Sequence, residues 1–160
     1  MATILVLCGQ NEGEWYGVPD HRPLVLGRDE TLLAAIQDPC ASRRHCEIHF
    51  DQRDERYYAV DLHSRNGVKV NGERIDHYTE LWEDDTVQIG HTLFCFTLEQ
   101  VPDDRRAQQL IEASKTRHRE LVEKVNRRKS RKEKKAVGAG AEGEHRGLGS
   151  LVASLFHRSH

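Results

Sequence analysis

Short apolar stretches broken by turn residues recur from Ala2 to Leu98, and several alternate with period two. Ala2 to Cys8 is a compact, β-branched apolar run that suits a buried strand. Asn11 to Glu14 is turn chemistry, Trp15 to Val18 restarts extended structure, and Leu24-Val25-Leu26 delivers Gly27 and Arg28 at a strand end. Thr31 to Ile36 is too short for a stable helix and reads as a connection on the edge of the fold. Cys46, Ile48 and Phe50 alternate, as do Tyr58, Val60 and Leu62, and then Val68 and Val70. Asn71-Gly72 is the strongest hairpin signal in the chain, because both central residues of a type I′ turn need positive φ. Thr86 to Ile89 and Phe94 to Leu98 supply two closing strands around Gly90-His91. Many short strands at regular spacing predict an all-β, two-sheet sandwich.

The pattern changes at Pro102. Ile111, Ser114, His118, Leu121 and Val125 follow three- and four-residue steps, with Asp103 and Asp104 at the start and the basic run Arg127 to Lys135 at the end. That charge order complements a helix dipole. The apolar seam is thin, so a coiled coil is not expected without a partner. Beyond Ala136 the chain is rich in Gly and Ala, as flexible linkers are, before Leu148, Leu151, Val152, Leu155 and Phe156 recur at helical spacing. The expected division is a β domain over residues 1–101, a charged helical extension over 102–135, and a flexible linker with a short amphipathic segment over 136–160.

Charge sharpens this division. Residues 1–101 hold 9 Lys and Arg against 18 Asp and Glu, net −9, whereas residues 102–160 hold 15 against 8, net +7. A basic tail of this kind offers salt-dependent attraction to an anionic membrane or to nucleic acid, which makes tail-driven binding the alternative reading of function. The absence of interleaved aromatics disfavours nucleic acid, and a partner protein is the other candidate for the tail. The four cysteines lack Cys-x-x-Cys spacing and three lie in strand-like runs, which fits a reducing, cytoplasmic setting. No stretch is long and apolar enough for a transmembrane helix. His45, His49 and His63 invite a metal reading, but no clustered Cys or Asp accompanies them, and no metal or cofactor is expected.

The chemistry concentrates in three groups where strand patterns give way to turns: Gly27-Arg28, then Ser42-Arg43-Arg44-His45, then Ser64-Arg65-Asn66-Gly67 with Asn71-Gly72 after it. Arginines, serines and an asparagine on the loops of a β scaffold offer planar and hydroxyl donors to a multi-oxygen anion, phosphate above all. Catalysis would have to use Ser42 with His45, yet no nucleophile elbow or nucleotide-binding glycine loop is present, so no enzyme is expected.

In this ordering the sequence resembles the forkhead-associated (FHA) domains, which are phosphothreonine-peptide binding modules. The shared pattern is Gly27-Arg28, Ser42-x-x-His45, Ser64-x-Asn66-Gly67 and Asn71-Gly72, followed by a leucine, an acidic turn and a strand ending in Gly from Leu81 to Gly90. The resemblance implies an FHA-type sandwich with its binding loops at one end. It also implies that Arg28 and Ser42 meet phosphate oxygens, that Arg43 supplements them and that Asn66 bonds the peptide backbone. His45 would support the loops from beneath, while Gly27, Gly67, Asn71 and Gly72 shape the turns. Arg65 stands where the family often has a small hydroxyl residue and adds a further candidate contact. Asp84-Asp85 replaces the family's usual Gly-Asp, and Asp tolerates the left-handed conformation a glycine would adopt there. The function implied is a signalling adaptor downstream of a Ser/Thr protein kinase, with a phosphothreonine-containing protein as partner.

Overall fold

The computed structural model describes residues 1–140, with side chains described as far as Ser130. The predicted amphipathic segment from Leu148 to Phe156 lies outside the described residues. Eleven strands and one helix follow in order: β1 (Ala2–Cys8), β2 (Trp15–Val18), β3 (Leu24–Gly27), β4 (Ala34–Ala35), β5 (Cys46–Asp51), β6 (Arg56–Asp61), β7 (Val68–Val70), β8 (Glu73–Arg74), β9 (Tyr78–Leu81), β10 (Thr86–Ile89), β11 (Thr92–Thr97) and α1 (Asp104–Gly140). One sheet runs β2-β1-β11-β10-β7-β8 and the other β4-β3-β5-β6-β9. The pairings are antiparallel except β3 with β4, where the stretch Thr31 to Ile36 adds a two-residue strand at the sheet edge. The expected all-β sandwich is therefore the fold.

Ile4, Val6, Ile48, Ala59, Val87, Phe94 and Phe96 meet between the sheets and are excluded from solvent. The inner residues of β6 are Tyr57 and Ala59, opposite Phe50 and Ile48. The alternation of Tyr58, Val60 and Leu62 in the sequence falls on the opposite parity. Both parities of β6 are apolar, so sequence periodicity could not choose between them, and the register against β5 decides. Tyr58 is left on the outer face beside His49 and Tyr78.

β1 is buried on both faces. Ala2, Ile4 and Val6 enter the main core, whereas Leu5 and Leu7 pack with Cys95, Val101, Ala107 and Ile111 in a second cluster. Two-sided burial explains why β1 reads as a continuous apolar run, as strands covered on both faces do. Asp103 caps α1 through a 2.8 Å bond from the Arg106 N–H. The Thr3 hydroxyl donates to Glu99 O at 2.8 Å and accepts the Val101 N–H at 3.3 Å, fixing the path from β11 to the helix. Trp15 Nε1 donates to Asp104 at 2.9 Å, and Arg106 forms a forked pair with Glu99. The first compact unit accordingly extends from Met1 to Arg117. Of the expected helical seam, Ile111 and Ser114 are buried, while Leu121 and Val125 are exposed.

The Asn71-Gly72 turn has φ of 53° and 84°, as a type I′ hairpin requires, and Asp84 takes the left-handed conformation at 68°. Among the described residues no helix is long and apolar enough to cross a membrane.

Ile111→Ala should lower unfolding stability by about 2–4 kcal/mol, the usual cost of deleting a buried branched side chain, whereas Leu121→Ala should stay within about 0.5 kcal/mol. Urea unfolding of the two variants checks this, and equal effects would mean that the start of α1 is not part of the packed unit.

Candidate functional site

The site is built from the segment that leaves β3, the segment that enters β5 and the turn between β6 and β7. Arg28 N–H donates to Ser42 O at 2.9 Å, Asp29 N–H to Arg43 O at 3.1 Å, and His45 N–H to Leu26 O at 2.9 Å. These bonds continue the β3–β5 pairing past the sheet end, and so bring Arg28 beside Ser42 and Arg43. The approach is so close that a Cβ on Gly27 would overlap the Arg43 carbonyl. Only glycine fits there.

His45 is fully buried beneath this crossing. Its Nδ1 accepts the Ser42 backbone N–H at 2.9 Å, its Nε2 lies 3.1 Å from Gly67 O, and its carbonyl accepts the Leu62 N–H at 3.0 Å. Because Nδ1 faces a donor and Nε2 an acceptor, the ring is the neutral tautomer protonated on Nε2. Neither nitrogen is directed at the Ser42 hydroxyl, so the pair is not arranged as nucleophile and base.

The third segment is locked onto the second. Arg65 N–H donates to Ser42 Oγ at 3.0 Å, Asn66 Nδ2 to Cys40 O at 2.8 Å, and Gly67 N–H to Ser64 Oγ at 3.0 Å, while Ser64 N–H is held by Asp61 at 2.9 Å. With one lone pair of Ser42 Oγ occupied by Arg65, its own proton remains available to donate. Gly67 has φ of 76°.

Arg28, Arg43, Arg44 and Arg65 are exposed, and among the described residues none forms an ion pair. Arg28 Nε makes only a 3.3 Å contact to Ala41 O. The nearby Asp29 carboxylate is already engaged by the Thr31 N–H and hydroxyl, which, with a smaller effect from Arg43 and Arg44, hold it below the ordinary aspartate range. The loops thus bear four exposed arginines, a hydroxyl donor and an amide whose Oδ1 has no partner among the described residues. Guanidinium, hydroxyl and amide donors of this kind are chemically suited to a multi-oxygen anion and to a peptide backbone.

Of the expected site residues, Gly27, Arg28, Ser42, Arg43, His45, Arg65, Asn66 and Gly67 come together. Asn71 and Gly72 lie at the other end of β7, where Asn71 bonds Asp85 at 2.7 Å and the Thr86 N–H at 2.9 Å. Their hairpin register pairs Lys69 with Arg74 and turns Arg74 back over Gly67, where its guanidinium carbon would stand 2.6 Å from an added Cβ. Sequence reasoning missed Arg74, although the two-residue turn after Val70 was sufficient to infer that register. His45, His49 and His63 do not converge. The residues able to share a metal ion among those described are instead Asp38, Cys40 and His91.

Comparison with known proteins places residues 24–90 within the family described as FHA domain. A curated relative is the mouse angiogenic factor with G patch and FHA domains 1, 34% identical over 83 residues, which cover 46% of this chain and 12% of that protein. The match therefore spans about an eighth of the relative's length. Among solved structures, the FHA domain of the CT664 protein from Chlamydia trachomatis superposes with a TM-score of 0.56 at 28% identity, covering 62% of this chain and 98% of that one. The FhaA FHA domain, solved in complex with the intracellular domain of Rv3910, matches with a TM-score of 0.53 at 25% identity, over 60% of this chain and 99% of that one.

Gly27→Ala should cost about 2–4 kcal/mol, since the clash is with backbone and no side chain can swing away. Gly72→Ala has open space around it and should cost about 1–2 kcal/mol, from the left-handed conformation alone. Denaturant unfolding ranks the two, and a neutral Gly27→Ala would contradict the close loop crossing.

Proposed function

This chain is an FHA-domain protein, and on that premise we propose that it binds phosphothreonine-containing proteins as a signalling adaptor downstream of a Ser/Thr protein kinase. The observation that carries the reading is that the loops tied together at Ser42 bear Arg28, Arg43, Arg44 and Arg65, all exposed and none in an ion pair among the described residues, in a domain of net charge −9. A phosphothreonine brings roughly −1.5 to −2 charges and three acceptor oxygens, which such donors match. The complex of the FhaA FHA domain with an intracellular protein domain supports a protein partner.

In this reading Arg28 and Ser42 take phosphate oxygens, Arg43 and Arg65 add charge-assisted contacts, and Asn66 holds the peptide backbone. Gly27, His45 and Gly67 keep these donors in place, and Asn71-Gly72 sets the hairpin beside them. No step of chemistry on the ligand is assigned. The reader unit is followed in the chain by a basic helical extension. Four free cysteines support a cytoplasmic setting.

A domain of net charge −9 repels phosphopeptides at long range, so binding must come from short, preorganised contacts. Each charge-assisted hydrogen bond contributes about 1.5–3 kcal/mol, more than repulsion screened over a Debye length of about 8 Å. Arg28→Ala should weaken a phosphothreonine peptide about ten- to a hundredfold, and Ser42→Ala should do less in the same direction. Threonine should be preferred to serine by about 0.8 kcal/mol, the value of one buried methyl. Calorimetry with a degenerate phosphothreonine library, its phosphoserine twin and the unphosphorylated control tests this. Equal binding of all three, or no binding by the folded protein, refutes the reading.

A further inference from the structure

The turn joining β10 to β11 closes against the Asp38–Cys40 loop around one buried carboxylate. Asp38 is 3% exposed. Its Oδ2 accepts the His91 N–H at 2.6 Å, the Thr92 N–H at 3.1 Å and the Thr92 hydroxyl at 3.1 Å. Its Oδ1 accepts the Cys40 N–H at 2.8 Å. A carboxylate has about four lone-pair sites. Oδ2 is fully used, and Oδ1 keeps one direction, which faces His91 Nδ1 at 3.4 Å.

That distance is long for an N–H···O hydrogen bond. It equals the spacing of two ligands on one tetrahedral ion, since metal–ligand bonds of about 2.0–2.2 Å at the tetrahedral angle hold nitrogen and oxygen roughly 3.4 Å apart. Cys40 supplies the third donor, and the ligand atoms of Asp38, Cys40 and His91 all lie within 4.8 Å of one another. The closeness depends on Gly90, with φ of 58°, because a Cβ there would stand 2.7 Å from Asp38 Oδ2 and 2.9 Å from Cys40 Cβ.

We propose that Asp38 Oδ1, Cys40 Sγ and His91 Nδ1 form a binding site for a divalent ion of the zinc class, with water in the fourth position. Sulfur and imidazole donors select zinc over magnesium or calcium, which take oxygen ligands. Cys40 binds as thiolate and releases its proton to solvent, and His91 binds through neutral Nδ1 with its proton on Nε2. The backbone N–H groups on Asp38 orient the carboxylate, as the outer shell of a metal site does. His91 is 77% exposed, so the ion has a path in from solvent. Occupancy would also reach the anion loops, because Cys40 O accepts the Asn66 amide at 2.8 Å and Ala41 O the Arg28 contact at 3.3 Å.

Zinc titration of the reduced full chain, read by calorimetry and by thiol alkylation with mass mapping, tests the site. One equivalent of zinc should slow alkylation of Cys40 about tenfold or more while leaving exposed Cys8 unchanged, and cobalt should give a thiolate-to-metal absorption band. Cys40→Ser and His91→Ala should each lower zinc affinity about tenfold or more, whereas His63→Ala should not. Exposure of His91 and partial exposure of Cys40 mean that both variants keep the fold, which circular dichroism checks directly. Unprotected Cys40, or unchanged affinity in both variants, would place zinc on other histidines and overturn the proposal.

Discussion

One buried imidazole joins the loops that make the site. His45 has both ring nitrogens and its carbonyl engaged, to Ser42, Gly67 and Leu62. Each bond taken singly is worth about 1 kcal/mol net, but removal of the ring would leave a buried N–H and a buried carbonyl unpaired at about 1–3 kcal/mol apiece. The asymmetry makes this a position where a polar core residue specifies geometry. A change of tautomer would set donor against donor at Ser42, so the ring also fixes which way the segment from Ser42 to His45 faces.

Charge follows a similar logic of prior commitment. Among the described residues the arginines of the loops form no ion pair, even though acidic residues outnumber basic ones two to one over residues 1–101. Many of those carboxylates are occupied as local acceptors: Asp29 by Thr31, Asp38 by the backbone of Cys40, His91 and Thr92, Asp61 by Ser64, and Asp85 by Asn71 and the Trp82 N–H. An aspartate satisfied by backbone N–H groups in a turn has little left to offer a guanidinium. Turn chemistry therefore maintains the positive character of the loops.

What sequence revealed and what it hid divide along the same line. Turn signals are local, so the Asn71-Gly72 hairpin, the left-handed Asp84 and the loops bearing Arg28, Ser42 and Asn66 were legible. Facts that depend on register or on distant packing were not. Tyr57 and Ala59 face the core because β5 selects their parity, and no property of β6 alone does so. Leu5 and Leu7 are covered by Ala107 and Ile111, about a hundred residues away in the chain, so β1 looked like a strand without showing that it serves two cores. Asp38, Cys40 and His91 meet through a sheet closure that no motif spacing encodes, whereas Arg74 over Gly67 follows from the Asn71-Gly72 register and lay within reach of the sequence.

The arrangement of donors also bears on how binding energy is divided among them. Exposed arginines lose rotamer freedom when they close on an anion, at about 0.5–1.5 kcal/mol per side chain, which offsets much of the roughly 1.5–3 kcal/mol of each charge-assisted bond. Ser42 differs, because its Oγ is already held by the Arg65 N–H and its backbone by His45 and Arg28. A neutral hydroxyl forms a weaker bond, but little ordering remains to be done. Under the proposed reading the arginines provide the charge, and Ser42 fixes where that charge is delivered. Since Ser42 is tied to all three segments of the site, its position responds to any loosening of Gly27, His45 or Gly67. Conservative changes beneath the loops should therefore reduce the selectivity of binding before they reduce the attraction itself.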